Sequence, residues 1–273
     1  MAVYAALIPH LTEVFGWQGC LLIMGGTSFN LCALGCSLYP TELSKSAKRA
    51  LDLRLLHNKK FMLFAAHCVF CNFSSSVIFL HLPALLLSFD LSMTVTSLSL
   101  TVCGLANCFG KICHSFVGYF RKPDACVIYT CSLVVCGTVM ILLPLLQNKV
   151  WILFMSAILG STYCVTGGYM PDVILKLVGL ENISDGLGFG QVAKALGSTI
   201  AGPLAGLLFQ WSRHYETSFY VGGSVLIGSC LLMIPIITSL RRQRTSRQKS
   251  AHNAVKHVIP GTEESAEIQL HKL

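Results

Sequence analysis

The stretch FMLFAAHCVFCNFSSSVIFLHLPALL, residues 61–86, contains no Asp, Glu, Lys or Arg. A helix needs about 20 apolar residues to cross the hydrocarbon core of a bilayer, and this run exceeds that. Five further apolar segments follow, near 92–119, 125–147, 150–176, 187–211 and 217–239, with short connections. One clear helix precedes it at 19–39, ending at Tyr39-Pro40. The segment from Met1 to Trp17 is expected to break at Pro9-His10 and to fall short of a full span.

Composition leads to the same class. Charged residues make up 12% of the 273 and hydrophobic residues 53%, whereas about a quarter of a globular protein is charged. So few charges cannot coat a water-soluble surface. The fold class is all-α polytopic membrane protein. The formal net charge of +8 would suggest nucleic acid in a soluble chain. Here the charges cluster between apolar segments, which points to membrane topology and to no nucleic-acid partner.

Lys and Arg set the orientation. The loop 41–60 carries Lys45, Lys48, Arg49, Arg54, Lys59 and Lys60. Arg121-Lys122, Lys176 and seven basic residues after Leu240 fall on the same side, and only Lys149 and Arg213 on the other. The 41–60 loop and the C-terminus are therefore expected in the cytoplasm. The polar residues 241–273 read as a disordered tail, whose Arg241, Arg242, Arg244 and Arg247 lie next to the lipid. The sequon Asn182-Ile183-Ser184 then lies in a cytoplasmic loop and is not expected to be glycosylated. Eleven of the 13 cysteines fall in apolar segments, so packing between helices is expected of them rather than a disulfide framework. Cys68-Val-Phe-Cys71 has CxxC spacing, but no second ligand pair lies nearby.

A central basic loop followed by six helices is the layout of half a twelve-helix transporter. Four units are expected: 1–40, a partial fifth helix and a sixth from an N-terminal bundle; the cytoplasmic loop 41–60; a complete C-terminal six-helix bundle, 61–240; and the tail, 241–273. The first four helices of such a protein would lie upstream of Met1.

Pro9-His10-Leu11-Thr12-Glu13-Val14-Phe15-Gly16-Trp17-Gln18-Gly19-Cys20-Leu21-Leu22-Ile23-Met24-Gly25-Gly26, with Asn30, Cys32 and Gly35 beyond, resembles the fifth-to-sixth-helix region of the monocarboxylate transporter family of the major facilitator superfamily. Phe79-Leu80-His81-Leu82-Pro83 resembles the end of that family's seventh helix. Leu177-Val178-Gly179-Leu180-Glu181-Asn182 resembles the turn after its tenth, and Gly202-Pro203-Leu204-Ala205-Gly206 the break in its eleventh. Together these cover most of 1–240. The resemblance implies alternating access, a midplane site and a small organic anion or zwitterion as substrate. It also implies residence in the plasma membrane, and as partner a single-span ancillary glycoprotein of the immunoglobulin type. No cofactor and no metal are implied.

In that family the eighth helix carries an Asp four residues before an Arg, on one helix face. The Asp carries the transported proton and the Arg pairs the substrate carboxylate. The matching positions here are Asn107 and Lys111. The positive site survives as a point charge rather than a fork. Asn107 cannot titrate, so facilitative rather than proton-coupled transport is expected. Lys111 has a second reading, in which it snorkels to the basic end of its helix. Tyr163 matches the family's specificity-setting aromatic, with Gly167 one turn on; both also read as ordinary interface packing. Lys194 lies in a glycine-rich helix, where it either attracts an anion or snorkels. Gly202 and Gly206 have small-xxx-small spacing, which suits close helix approach, and Pro203 is expected to break its helix. His67 and His81 read first as hydrogen-bonded packing residues.

No Ser-His-Asp set, Walker loop, HExxH motif or paired catalytic carboxylates occur, and nothing supports an enzyme. Two other readings stay open. One is a truncated, non-transporting form that associates with a full-length transporter or an ancillary glycoprotein. The other, a seven- or eight-helix receptor, fits helix count alone.

Overall fold

A computed structural model describes residues 2–37, 53–121 and 124–258. Lys45, Lys48, Arg49 and Lys122 of the basic loops lie outside these residues, as do residues 259–273 of the tail. Helix α1 is Ala2–Cys36. A short 3-10 turn, Leu53–His57, leads into α2, Lys59–Ser88. Then come α3, Met93–Arg121, and α4, Ala125–Leu142, which runs into a 3-10 turn at Leu143–Leu145. The next rod is in three pieces: α5, Lys149–Tyr163; α6, Val165–Gly168; and α7, Met170–Val178. Helix α8, Ile183–Ser212, precedes α9, Glu216–Leu231, and α10, Met233–Val258. Among the described residues, seven helical rods are long and apolar enough to cross a membrane.

Several expectations change. Helix α1 continues through Pro9-His10 and breaks at Gly16 instead, where φ is 67°. Glycine takes that value without the Cβ clash that other residues meet. Helix α8 runs unbroken through Pro203. The rod 149–178, expected as one helix, is broken around Cys164 and Tyr169. The last helix continues to Val258, so residues 241–258 are helical where composition predicts disorder. No Gly or Pro interrupts that stretch, and Arg, Gln and Lys are good helix formers.

Helix α2 packs on α8 and α9, α3 on α5, and α4 on both α5 and α9. Acyl chains are as apolar as leucine, so helix association in a membrane depends on close fit and polar links. Both are present. A Cβ on Gly160 of α5 would collide with the Cys103 carbonyl of α3, and one on Gly197 of α8 with the Val69 carbonyl of α2. Gly202 and Gly206, the expected contact pair, have open space around them. Their spacing is right, but a Cβ on either would meet no described atom within 4 Å.

The polar link is His67, fully buried in α2. A carbonyl only accepts, so Nδ1 donates to the Ser229 carbonyl of α9 at 3.0 Å. In the neutral ring, Nε2 then accepts from the Tyr129 hydroxyl of α4 at 3.2 Å. One side chain thus ties three helices together, as a packing role requires. Cys68 and Cys71, the CxxC pair, are buried in the same core.

At the basic end, Asp124 precedes α4. Its Oδ1 lies 3.1 Å from Lys176 Nζ of α7 and its Oδ2 3.7 Å from Arg241 Nε of α10. Helix α1 packs against α3 and leaves Trp17, Leu22 and Phe29 exposed, an apolar flank suited to lipid.

Gly160→Ala is expected to destabilise the bundle by about 1–3 kcal/mol, because a methyl there forces backbone apart. Gly202→Ala is expected to be tolerated. Thermal unfolding of the two variants in detergent, side by side, checks the contrast. Equal midpoints would show that the α3–α5 contact is not tight.

Candidate functional site

Leu100, Cys103, Asn107, Lys111 and His114 recur every three or four residues along α3, so they share one face. That face borders two cavities in series along a groove. The first, of about 470 Å³, is lined on the α3 side by Leu100, Cys103, Gly104 and Asn107. Phe79 of α2 and Leu159, Gly160 and Tyr163 of α5 close it, with Ile8 of α1 at its edge. The second, of about 670 Å³, is lined by Lys111, His114 and Ser115 of α3 and by the broken stretch from Cys164 to Asp172. Gly110 lies between them, pressed on α5. A Cβ there would be 2.9 Å from both Cys164 Sγ and the Ser161 carbonyl.

The expected site residues divide between these cavities. Asn107 and Tyr163 line the first. Asn107 Nδ2 donates to the Gly160 carbonyl at 3.2 Å, so its amide also braces α3 against α5. The Tyr163 ring meets Phe79 edge-on, with centroids 6.1 Å apart. Lys111 and Gly167 line the second cavity. A methyl added to Gly167 would lie 3.8 Å from Lys111 Cε and 4.0 Å from its Nζ. The Lys111 side chain therefore reaches across to the broken turn. Asp172 lines the same cavity.

Lys194 lines neither cavity. Its Nζ donates to the Thr166 carbonyl at 3.2 Å. Asn72 of α2 holds Lys194 in turn, with Nδ2 donating to the Lys194 carbonyl at 2.8 Å and to the Ser198 hydroxyl. Thr166 lies inside the break, where the i→i−4 ladder is disturbed: the amides of Gly167 and Gly168 both donate to the Cys164 carbonyl at 3.3 Å. A carbonyl released inside a membrane must find another donor. Lys194 supplies it, and its charge strengthens the bond.

Sequence reasoning missed three participants. Phe79 sits in a stretch quoted above for its family likeness, and its aromatic ring was the available signal. Leu100 looked like any other apolar residue of its helix. The Thr166 carbonyl carries no sequence signal, because every residue has one.

Among known proteins, the model of the Major Facilitator Superfamily matches residues 1–201. Monocarboxylate transporter 13 of Bos taurus is 23% identical over 240 residues, which is 85% of this chain and 56% of that protein. Monocarboxylate transporter 13 of Rattus norvegicus is 24% identical over 253 residues, 89% of this chain and 58% of that one. Monocarboxylate transporter 9 of Rattus norvegicus is 26% identical over 141 residues, 50% of this chain and 27% of that one. The chain spans about half the length of the curated relatives that it matches along most of its own length.

Lys194→Met removes the donor from the Thr166 carbonyl and is expected to lower stability by about 1.5–3 kcal/mol, the usual worth of a hydrogen bond to a charged group. Lys194→Arg keeps a cationic donor and is expected to recover most of that. Thermal midpoints of the two variants in detergent provide the check. An unchanged midpoint for the Met variant would mean that the break needs no donor from α8.

Proposed function

The chain belongs to the major facilitator superfamily, and on that premise we propose that it moves small monocarboxylates or related zwitterionic metabolites, creatine-like ones included, by alternating access. The observation that supports this is the Lys111 ammonium at the broken turn, within about 4 Å of where a Gly167 side chain would begin. It is a cation within an apolar helix, beside a cavity and beside backbone that glycine leaves bare. Intramembrane lysines that face cavities mark anion pathways. Asn107, one turn away on the same face, positions rather than titrates. Tyr163 and Gly167 shape the two cavities. Lys194 is a positioning residue that acts through Thr166.

Transport on this reading is facilitative, because Asn107 carries no proton. The basic 41–60 loop and the C-terminus face the cytoplasm, the membrane is the plasma membrane, and a single-span immunoglobulin-type glycoprotein is an ancillary partner. A second reading is favoured by one observation: α1 leaves a long apolar flank uncovered, with Trp17 66% and Phe29 75% exposed. On that reading the chain does not transport, and it associates through this flank with a full-length transporter or with the glycoprotein.

Uptake of labelled lactate, pyruvate and creatine, normalised to surface protein, is expected to be equal at mildly acidic and neutral outside pH. It is expected to fall about tenfold or more in Lys111→Ala, by loss of a charge-assisted contact. Uptake driven by external acid would overturn the facilitative reading. Surface expression without uptake would favour the non-transporting one.

Asn107→Asp restores a titratable group four residues before Lys111. Acid-stimulated uptake is the expected gain, measured as the ratio of initial rates at the two pH values. A ratio that stays at one would mean that position 107 does not exchange protons with the substrate path.

A further inference from the structure

The start of α2 and the exit of α10 meet at the basic end. Val77 of α2 lies beside Gly222 of α9, and His67 beside Ser229, so α2 and α9 run antiparallel. From the His67–Ser229 contact, α2 runs back to Lys59, while the chain runs on through α10 to Arg241. At 1.5 Å per residue these paths are about 12 Å and about 18 Å long. Both reach the same boundary, where one apolar span begins at Lys59 and another ends at Gln243. Helix α10 also packs directly on α2.

The side chains gathered at this junction have one sign. Arg54, Lys59, Arg241 and Arg242 are exposed, and Lys60 is half-buried. No Asp or Glu occurs in 53–62 or in 241–258. Of the nearest carboxylates, Asp124 is shared between Lys176 and Arg241, and Asp185 belongs to the first turn of α8. Helix α10 continues past the boundary through Arg244 and Arg247. The N-terminus of α2 faces the same end, and its dipole favours an anion. None of these cations lines either cavity.

We propose that the α2–α10 junction docks an anionic phospholipid of the adjoining leaflet, with a headgroup that carries phosphomonoesters, of the phosphoinositide class. Arginine forks match phosphate oxygens in pairs. The cations come from two helices. A lone phosphodiester carries one charge, whereas a ring with several phosphates can answer both helices at once. Met62 of α2 and Ile234 of α10 are exposed on the membrane side of the boundary, and they offer the acyl chains an apolar wall. That wall favours a lipid over a soluble phosphate. The site does not depend on the Lys111 reading.

Native mass spectrometry of the full chain in an uncharged detergent tests this. The chain is titrated separately with phosphatidylinositol bisphosphate, phosphatidylserine and free inositol trisphosphate. The bisphosphate lipid is expected to bind one to one, about tenfold or more tighter than phosphatidylserine. Arg242→Gln is expected to weaken it about fivefold, and Lys59→Gln with Lys60→Gln about tenfold or more, since each basic residue near a membrane surface contributes attraction of that order. Arg242→Gln leaves the Asp124–Arg241 contact in place. Lys149→Gln, at the opposite end of the rod that carries Lys176, is expected to change nothing. Equal affinity for the two lipids would mean attraction to surface charge without a site, and would overturn the proposal. So would a loss in the α10 variant with none in the α2 variant, which would reduce the junction to one helix. Inositol trisphosphate that binds as tightly as the lipid would make this a soluble-anion site and overturn the lipid assignment, and absence of lipid binding would overturn it outright. The comparison of headgroups needs no variant, so it stands even where a variant fails to fold.

Discussion

A peptide carbonyl that leaves its helix inside a bilayer has no water to turn to, and this requirement organises the middle of the molecule. The rod 149–178 breaks near its centre. The carbonyl freed at Thr166 is met by an ammonium from another helix, Lys194 Nζ at 3.2 Å. That lysine is positioned by Asn72. Asn72 can reach it because α8 lies close against α2, where Gly197 touches the backbone at Val69 and Phe73. The break, the lysine and the tight helix pair form one arrangement. Lys111 approaches the neighbouring residue, Gly167, from the α3 side. The broken turn thus has one cation bound to its backbone and another beside its bare glycine.

The charged residues have unequal work. Asp124, Lys176 and Arg241 meet at the basic end. They are partly exposed, with Lys176 at 39% and Asp124 at 30%, and exposed ion pairs of this kind contribute about 0–1 kcal/mol. Their value lies in gathering the start of α4, the last turn of α7 and the Arg241 turn of α10 at one end, in keeping with the clustering of Lys and Arg along the chain. Lys111 and Lys194 lie within apolar helices, where a charge is costly and position matters more. One is committed to the backbone and the other faces a cavity. His67 belongs with the first kind: both its ring nitrogens are spent on neighbouring helices.

Much of this architecture is legible in the order of residues, because hydropathy and charge are local properties. The run 61–86 requires a membrane helix whatever surrounds it. The other apolar segments, the basic loop and the Asn107–Lys111 spacing on one face follow from composition and from 3.6 residues per turn. The conformation of short segments is less legible. Pro9 was the stronger breaker on paper, yet the chain breaks at Gly16, where a positive φ is free of strain. Residues 241–258 look too polar to order, yet helix propensity and continuity with a membrane-anchored helix carry α10 to Val258.

What only the tertiary structure decided is which side chains meet across helices. Gly202 and Gly206 have the spacing of a packing motif, yet a Cβ on either would meet no described atom within 4 Å, while Gly160 and Gly197 make the tightest contacts. Lys194 and Lys111 are alike in sequence, each a lone lysine in an apolar helix. Their different roles follow from which carbonyl or cavity lies opposite, and that depends on helix rotation and crossing. The division of the α3 groove into apolar and polar halves arises in the same way, since each half needs walls from other helices. The sequence alone settled that this chain lives in a membrane as a set of helices with one basic end. Helix packing settled where its cations point, because contact between helices is a property of pairs and no single segment encodes it.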